Sequence, residues 1–377
     1  MLKKIIKNIK EFFFIIENIR QINKDKPKII FYSENKAYVK YAYILIDVIK
    51  KKYPNKIYYV SSDIDDQVND INIRNIYIGK GVLMQYFFLT IKSDNIFLTL
   101  TNLDNTVVKK NRFVKNYIYF FHGAVSTTKV YTSTAFDNYD TILCNGDHHV
   151  KEIELRENLY NLKKKRLIKS GYSYFDYLHY KLNKNNDDIN EILIAPSWNK
   201  NKRYFINENF DKIIDKLINT GFKVRFRPHP ENLKRSQNYL NSIKKKYNGE
   251  MFIYDDDPEN YSAFEKAKCL ITDNSGISIE FFLLMKRPII YFDDFAKIHN
   301  SQIENFKDLE TIEDRVKKKF GIFFKVNEIN NIKNIIDQSN INFKKNIDEV
   351  NKFIDINFFN YNKTSDYIDK NLANILR

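Results

Sequence analysis

The sequence predicts an α/β protein built from two Rossmann-like, doubly wound domains that face a central cleft. Three observations carry this expectation. The chain has 377 residues, more than one ordinary domain of ~100–200 residues requires. Short apolar, β-favouring runs alternate with helical stretches, the pattern of a parallel sheet with crossover helices, and the alternation occurs twice. Between the two series lies "NKNNDDINE", 183 to 191, polar and without apolar periodicity, as a linker would be.

The first element is a helix over residues 1–24. Ile5, Ile6, Ile9, Phe12, Phe13, Ile16 and Ile19 recur at helical spacing with lysines on the opposite face. Such a helix fits an anionic membrane surface or the flank of the first domain equally well. It does not read as a signal peptide: "FFFII" is only five residues long and no small-residue cleavage site follows. No apolar stretch in the chain reaches the ~20 residues that span a bilayer.

The first domain, 25–183, reads as strands "KIIFYSE", "KIYYVSS", "IRNIYIG", "NIFLTLT", "NYIYFFHG" and "DTILCNG", with helices such as "YAYILIDVIKKKYP", "VLMQYFFLTI" and "DHHVKEIELRENL" between them. The second, 190–377, opens with strand "EILIAPSW" and helix "YFINENFDKIIDKLINTG", followed by strands "FKVRFRPHP", "EMFIYDDD", "KCLITDNSG" and "RPIIYFDD" with intervening helices. From about residue 300 the chain reads as polar and helical, and is expected at the domain junction. No internal repeat is visible, which excludes solenoids.

Composition narrows the partners. With 62 basic and 47 acidic residues the net charge is +15, which favours an anionic partner: nucleic acid, an anionic membrane or a phosphorylated substrate. The basic residues are scattered over both halves instead of being stacked with aromatics on one surface, so nucleic acid is the least favoured of these. Cys144 and Cys269 end apolar runs without a CxxC or Cys/His cluster and read as reduced core residues of a cytosolic protein. Tyrosine and phenylalanine are abundant, 26 and 30, but in a chain biased to Lys, Asn and Ile isolated tyrosines carry little weight.

In doubly wound sheets ligands bind beyond the C-terminal ends of the strands, and three strand ends stand out. "FHG" places His122 and Gly123 after an aromatic-rich strand. Imidazole there suits a general base, and Gly123 lets the backbone turn close to a substrate; a turn-capping histidine is the plainer alternative. "RFRPHPEN" holds His229 between Pro228 and Pro230, directly after Arg227. Pro228 ends the ladder and keeps Arg227 extended, giving a stiff cationic corner suited to a diphosphate. "TDNSG" offers Asp273, Asn274 and Ser275 as capping residues and Gly276 for close approach, before a helix starting near Ile277 that carries Glu280 in its first turn. Glu280 is placed to hold ribose hydroxyls. A fourth end, "APSWNKNKR", adds Ser197, Trp198, Lys200, Lys202 and Arg203, a basic lip that contacts phosphate or is simply solvated. His148 and His149 have no metal-ligand spacing, and the acidic runs 255–257 and 293–294 read as solvated turns. Neither a Walker motif nor GxGxxG occurs, and neither a metal site nor a cofactor is expected.

The ordered set "FHG", "SGYSYFDYL", "ILIAPSW", "FRPHPEN" and "ITDNSGISIEFFLLMKRPIIYFD" resembles the CDP-glycerol glycerophosphotransferase family, which includes teichoic acid primases and polymerases. The resemblance spans roughly Tyr117 to Asp293. It implies the two-domain architecture called GT-B and a cytoplasmic enzyme peripheral on the inner face of the membrane. It further implies transfer of glycerol phosphate, or a similar polyol phosphate, from a CDP-activated donor to a membrane-associated or lipid-linked polymer. By the same resemblance His122 is the candidate base, His229 and Arg227 meet the donor diphosphate, and Asp273 to Gly276 lie at the helix end facing it; Glu280 and Ser197, from their own places after strands, are also expected on the donor side. "DNSGISIE" is also similar to nucleotide-sugar glycosyltransferases and UDP-sugar 2-epimerases. A glycosyltransferase of capsule or lipopolysaccharide synthesis therefore stays open as the alternative.

Overall fold

The computed structural model describes residues 2–182, 189–198, 210–257, 261–292 and 298–376. The first series runs α1 (Leu2–Asp25), β1 (Ile29–Ser33), α2 (Val39–Lys52), β2 (Ile57–Ser61), β3 (Ile73–Tyr77), α3 (Val82–Thr90), β4 (Ser93–Leu98), β5 (Val114–Phe120), α4 (Thr127–Val130), β6 (Thr141–Leu143), α5 (Asp147–Leu159), β7 (Arg166–Ile168) and α6 (Ser173–Lys181). The second runs β8 (Glu191–Ile194), α7 (Phe210–Asn219), β9 (Lys223–Phe226), α8 (Pro230–Arg235), α9 (Gln237–Lys246), β10 (Phe252–Tyr254), α10 (Ser262–Lys266), β11 (Ala267–Thr272), α11 (Ile277–Met285), β12 (Ile289–Phe292), α12 (Ile312–Phe320), β13 (Gly321–Phe324), α13 (Ile332–Lys345), α14 (Ile347–Asn357) and α15 (Thr364–Ile375).

The strands form two parallel sheets, a seven-stranded one ordered β3-β2-β1-β4-β5-β6-β7 and a six-stranded one ordered β10-β9-β8-β11-β12-β13. Central strands such as β1 and β8 are buried at every position. Helices cover both faces of such sheets, and that double burial is why these strands read as unbroken apolar runs. Strand order reverses between β1 and β4 in the first sheet and between β8 and β11 in the second. A crevice opens at such a switch point.

Two strands go beyond the sequence-based expectation. β7 and β13 are the outermost strands beside β6 and β12, only three and four residues long and only partly buried, so they lack the fully buried apolar run that marks inner strands as short as β8 and β12. β13 lies in the stretch expected to be helical throughout; "GIFF" instead pairs in register with Ile289–Phe292.

Helix α1 divides along its length. Ile15, Ile19 and Ile22 are buried in the core of the first sheet, whereas Ile9, Phe12, Phe13 and Phe14 are exposed. At the other terminus α15 returns to the first sheet. Ile368, Leu372 and Ile375 bury against residues of β1 and α2, and the buried Asn116 amide donates to the Ile375 carbonyl at 3.1 Å and to Asn95 Oδ1 at 3.0 Å. Cys144 and Cys269 are free and buried, as expected. Most of the expected linker, residues 183–188, lies outside the described residues.

Candidate active site

A cavity of about 420 Å³ lies where the C-terminal strand ends of the two sheets meet. Lys40, Tyr41, His122, Gly123, Val125 and Tyr131 line it from the first sheet, and α6 adds Tyr174 and Leu178. From the second come Ala195 and Pro196 after β8, Arg227 to Pro230 after β9, and Ser275, Gly276, Ile277 and Glu280 after β11. The parallel register of each sheet delivers these segments to one side, so residues more than a hundred positions apart converge.

His122 follows β5 directly and sits among rings: Tyr38, Tyr131 and Tyr41 lie 5.5, 5.9 and 6.1 Å away centroid to centroid. The Tyr119 hydroxyl is 3.4 Å from its Nδ1. Loss of water around the imidazole pushes its pKa down to about 4, only partly offset by a hydrogen bond with the Thr99 backbone. The ring is therefore neutral at physiological pH and able to accept a proton. Gly123 is held by Asn145, whose amide donates to the Gly123 carbonyl at 3.0 Å.

His229 caps α8. Its Nδ1 accepts from the Glu231 backbone N–H at 3.1 Å, so in the neutral ring the proton sits on Nε2, which is then a donor. Pro230 at the first helical position fits this geometry, because the missing N–H would have had no helical partner. The Glu231 N–H thus fixes the tautomer of the imidazole, at a cap whose following residue is Pro230.

Arg227 lines the cavity with its guanidinium braced from behind: Nη2 donates to Asp255 Oδ2 at 2.7 Å. Asp255 is 3% exposed and also meets Arg225 Nη1 at 3.4 Å, while Arg225 Nε donates to Glu191 at 2.6 Å. The reading of 255–257 as a solvated turn is corrected here for Asp255, which joins the ends of β9 and β10 through a buried ion-pair network. Arg225 is buried in the same network. A carboxylate withdrawn from water needs such cationic partners.

Asp273, Asn274 and Ser197, expected on the donor side, do not reach the cavity wall. Asp273 accepts from the Ser197 backbone N–H at 2.7 Å and from its hydroxyl at 2.8 Å, tying the ends of β8 and β11 together across the switch point. Asn274 accepts from Lys317 of α12. None of these side chains caps α11; Gly276 occupies the cap position with φ −59° and ψ −23°. Ser275 and Gly276 do line the cavity, and the Ser275 carbonyl accepts from the Ser278 hydroxyl at 2.8 Å.

Glu280, in the first turn of α11, faces the first sheet across the cavity. The Tyr172 hydroxyl is 3.5 Å from its Oε1. Burial pushes its pKa up to about 7, against the opposing pull of the Lys40 charge and the Tyr172 hydroxyl. His148 and His149 are buried, and His149 stacks on Phe121 at 3.7 Å with its Nε2 2.9 Å from the Val125 carbonyl, in keeping with a structural role. Among the described residues no group of three or more His, Cys, Asp or Glu is placed to hold a metal ion. Lys200, Lys202, Arg203 and the acidic pair at 293–294 lie outside the described residues. Trp198 packs under Arg235, whose guanidinium stands 5.0 Å above the ring.

Lys40 and the tyrosine wall are functional candidates that sequence reasoning missed. Tyr41, Tyr131, Tyr174 and Tyr261 all line the cavity, yet the general abundance of tyrosine hid them. One signal was available: Tyr174, Tyr177 and Tyr180 recur every third residue, which places rings along one side of a helix.

With the geometry described, comparison with known proteins places the chain in context. A family model described as CDP-Glycerol:Poly(glycerophosphate) glycerophosphotransferase matches residues 13–297. No curated protein matches. Among solved structures, the wall teichoic acid polymerase TagF superposes with a TM-score of 0.64 at 16% identity, covering 99% of this chain and 97% of that one. A TagF variant soaked with CDPG gives 0.62 at 15%, covering 99% and 95%. The UDP-GlcNAc 2-epimerase from Methanocaldococcus jannaschii gives 0.56 at 15%, covering 92% and 99%. At these identities the likeness is one of fold, a GT-B-like pair of parallel sheets.

Proposed function

The chain belongs to the CDP-glycerol:poly(glycerophosphate) glycerophosphotransferase family, and we propose that it transfers glycerol phosphate from CDP-glycerol to the growing end of a membrane-associated polyol-phosphate polymer. The observation that carries this reading is the convergence of His122 from one sheet with His229 and Arg227 from the other on one cavity. A neutral imidazole faces a fixed N–H donor and a braced guanidinium, which is the division of labour that phosphoryl transfer from a diphosphate asks for.

In the reaction an acceptor hydroxyl attacks the β-phosphorus of CDP-glycerol, the atom that bears glycerol. The new P–O bond forms as the bond from that phosphorus to the bridging oxygen breaks, and CMP leaves with the bridging oxygen. His122 takes the hydroxyl proton. His229 Nε2–H and the Arg227 guanidinium neutralise charge developing on the CMP phosphate, assisted by backbone N–H groups at the start of α11. Glu280, partly protonated at neutral pH, accepts from a ribose hydroxyl without placing a full negative charge beside the diphosphate. Ser197, Asp273 and Asn274 act behind these groups, holding the strand ends in place.

The exposed end of α1 supports a place on an anionic bilayer. Phe12, Phe13 and Phe14 are each about half exposed or more (47, 64 and 57%), and Val82, Tyr86 and Leu89 of the neighbouring α3 are exposed as well. Large apolar side chains gain roughly 1.5–3 kcal/mol each when fully buried, and the net charge of +15 adds attraction to anionic headgroups. Among the described residues no helix is long and apolar enough to cross a membrane.

Titration calorimetry with CDP-glycerol, CDP, UDP, GDP and a nucleotide-sugar panel tests the donor. Cytidine ligands are expected to bind most tightly; a preference for UDP or GDP ligands would redirect the reading to a nucleotide-sugar glycosyltransferase.

A further inference from the structure

A second cavity of about 670 Å³ opens beside the first, lined by Tyr43, Ile44 and Asp47 of α2 and by Asp176, Tyr177, His179, Tyr180 and Lys181 of α6. We propose that this groove binds the anionic polyol-phosphate chain of the acceptor and leads its end to His122. The proposal deepens the glycerophosphotransferase reading and rests on it for the chemistry of the acceptor.

The two spaces share their walls. Lys40 and Tyr41 line the first cavity and Tyr43 and Ile44 the second, within little more than one turn of α2. Tyr174 and Leu178 line the first and Tyr177 and Lys181 the second, on successive turns of α6. Rings join them without a break. Tyr41 lies 4.6 Å from Tyr174, Tyr174 stacks on Tyr177 at 6.0 Å with 17° between planes, and Tyr177 lies 5.4 Å from Tyr43.

Cations mark both ends of this row. Lys40 Nζ stands 5.5 Å and 5.6 Å from the rings of Tyr41 and Tyr174, and Lys181 Nζ stands 5.7 Å from that of Tyr177. Rings flanked by two ammonium groups match a chain that carries C–H-rich polyol units between phosphodiesters. Of the groove's acidic groups, Asp47 pairs with Lys50 at 2.6 Å, and Asp176 accepts from the Ser365 backbone N–H through Oδ2 at 2.8 Å, its buried Oδ1 having no hydrogen-bond partner. The groove is formed by first-sheet elements and by α15's N-terminal flank. The second sheet, which carries His229 and Ser275, is thereby left to the donor.

A fluorescent synthetic glycerol-phosphate oligomer and full-length protein test this by anisotropy, with CDP-glycerol binding measured in parallel by calorimetry. Lys181→Glu, at an exposed position that the fold does not depend on, and Tyr177→Ala are each expected to weaken oligomer binding about five- to tenfold and to raise the acceptor KM in proportion, while CDP-glycerol affinity stays within twofold. Oligomer affinity unmoved by both variants, or no oligomer binding by the wild type, overturns the groove whatever the donor result. Failure of the wild type to bind CDP-glycerol, with variant-sensitive oligomer binding retained, overturns the donor reading alone and leaves the groove standing.

Discussion

Gly276 of the second sheet rests against Val125 of the first: a Cβ added to Gly276 would stand 3.1 Å from Val125 Cγ1. This contact joins the segment after β11 to the segment after β5, the two places where Ser275 and His122 enter the cavity. The backbone of Gly276 is ordinary in φ and ψ, so what opposes a side chain here is the tight approach of Val125, which would have to give by a few tenths of an ångström, and not backbone strain. Gly276→Ala should lower kcat/KM by roughly tenfold through overpacking that costs ~1–2 kcal/mol. Val125→Ala in the same chain should restore most of it. A double variant no better than the single one would show that the walls do not press on each other.

Asp255 stands behind both Arg225 and Arg227. Asp255→Asn removes the buried charge that compensates them, and breaking such a network by one partner costs about 3–5 kcal/mol. Urea denaturation should show a loss of this order, with weakened CDP-glycerol binding as Arg227 loses its brace. A midpoint within error of the wild type would mean that the guanidinium groups find other partners.

Glu280 gives stability a pH dependence of definite sign. In the unfolded chain the carboxyl titrates near its ordinary 4.5 and in the fold near 7, so between these values the folded state binds more protons. Stability contributed by Glu280 is therefore complete below about pH 4.5 and is lost as pH rises toward 7. The difference in unfolding free energy between wild type and Glu280→Gln should fall across this window and level off above it. A flat or rising difference contradicts the placement of Glu280 in a water-poor pocket.

Vesicle binding separates the two halves of α1. Removing the whole helix would uncover Ile15, Ile19 and Ile22, which are 1%, 0% and 0% exposed, so point changes are the informative ones. Phe13→Glu together with Phe14→Ser should abolish co-sedimentation with anionic vesicles at unchanged thermal stability. Retention of co-sedimentation would move the membrane surface elsewhere on the protein.

The sheets were legible because parallel strands buried on both faces are written as apolar runs between helices, and β1, β5, β8, β11 and β12 are all of this kind. The edge strands β7 and β13 were not: they are only partly buried, unlike the comparably short β8 and β12, and they lie beside a run of lysines and inside a polar, helical stretch. At the site, His122, His229, Arg227 and Glu280 could be found from their positions after strands. The partnership of Asp273 with Ser197 could not: both looked like local loop residues, yet they close a gap between strands 76 positions apart in the chain. Asp255 was misread for the same reason, because burial of an acidic run depends on cations from a neighbouring strand. The tyrosine row on α2 and α6 was masked by composition; the spacing of Tyr174, Tyr177 and Tyr180 hinted at its α6 part, but its junction with Tyr41 and Tyr43 comes from the packing of the two helices.

The most direct test of the account combines CDP-glycerol labelled in its glycerol with a membrane-embedded, glycerol-phosphate-primed acceptor, and follows label in the acceptor together with CMP release. The wild type is expected to release one CMP for each glycerol phosphate transferred. His122→Ala should lower kcat by about 10²–10⁴, as loss of a general base does, while binding CDP-glycerol as the wild type does. Transfer that survives in His122→Ala, or a wild type that leaves CDP-glycerol intact while consuming a nucleotide sugar, would contradict the account.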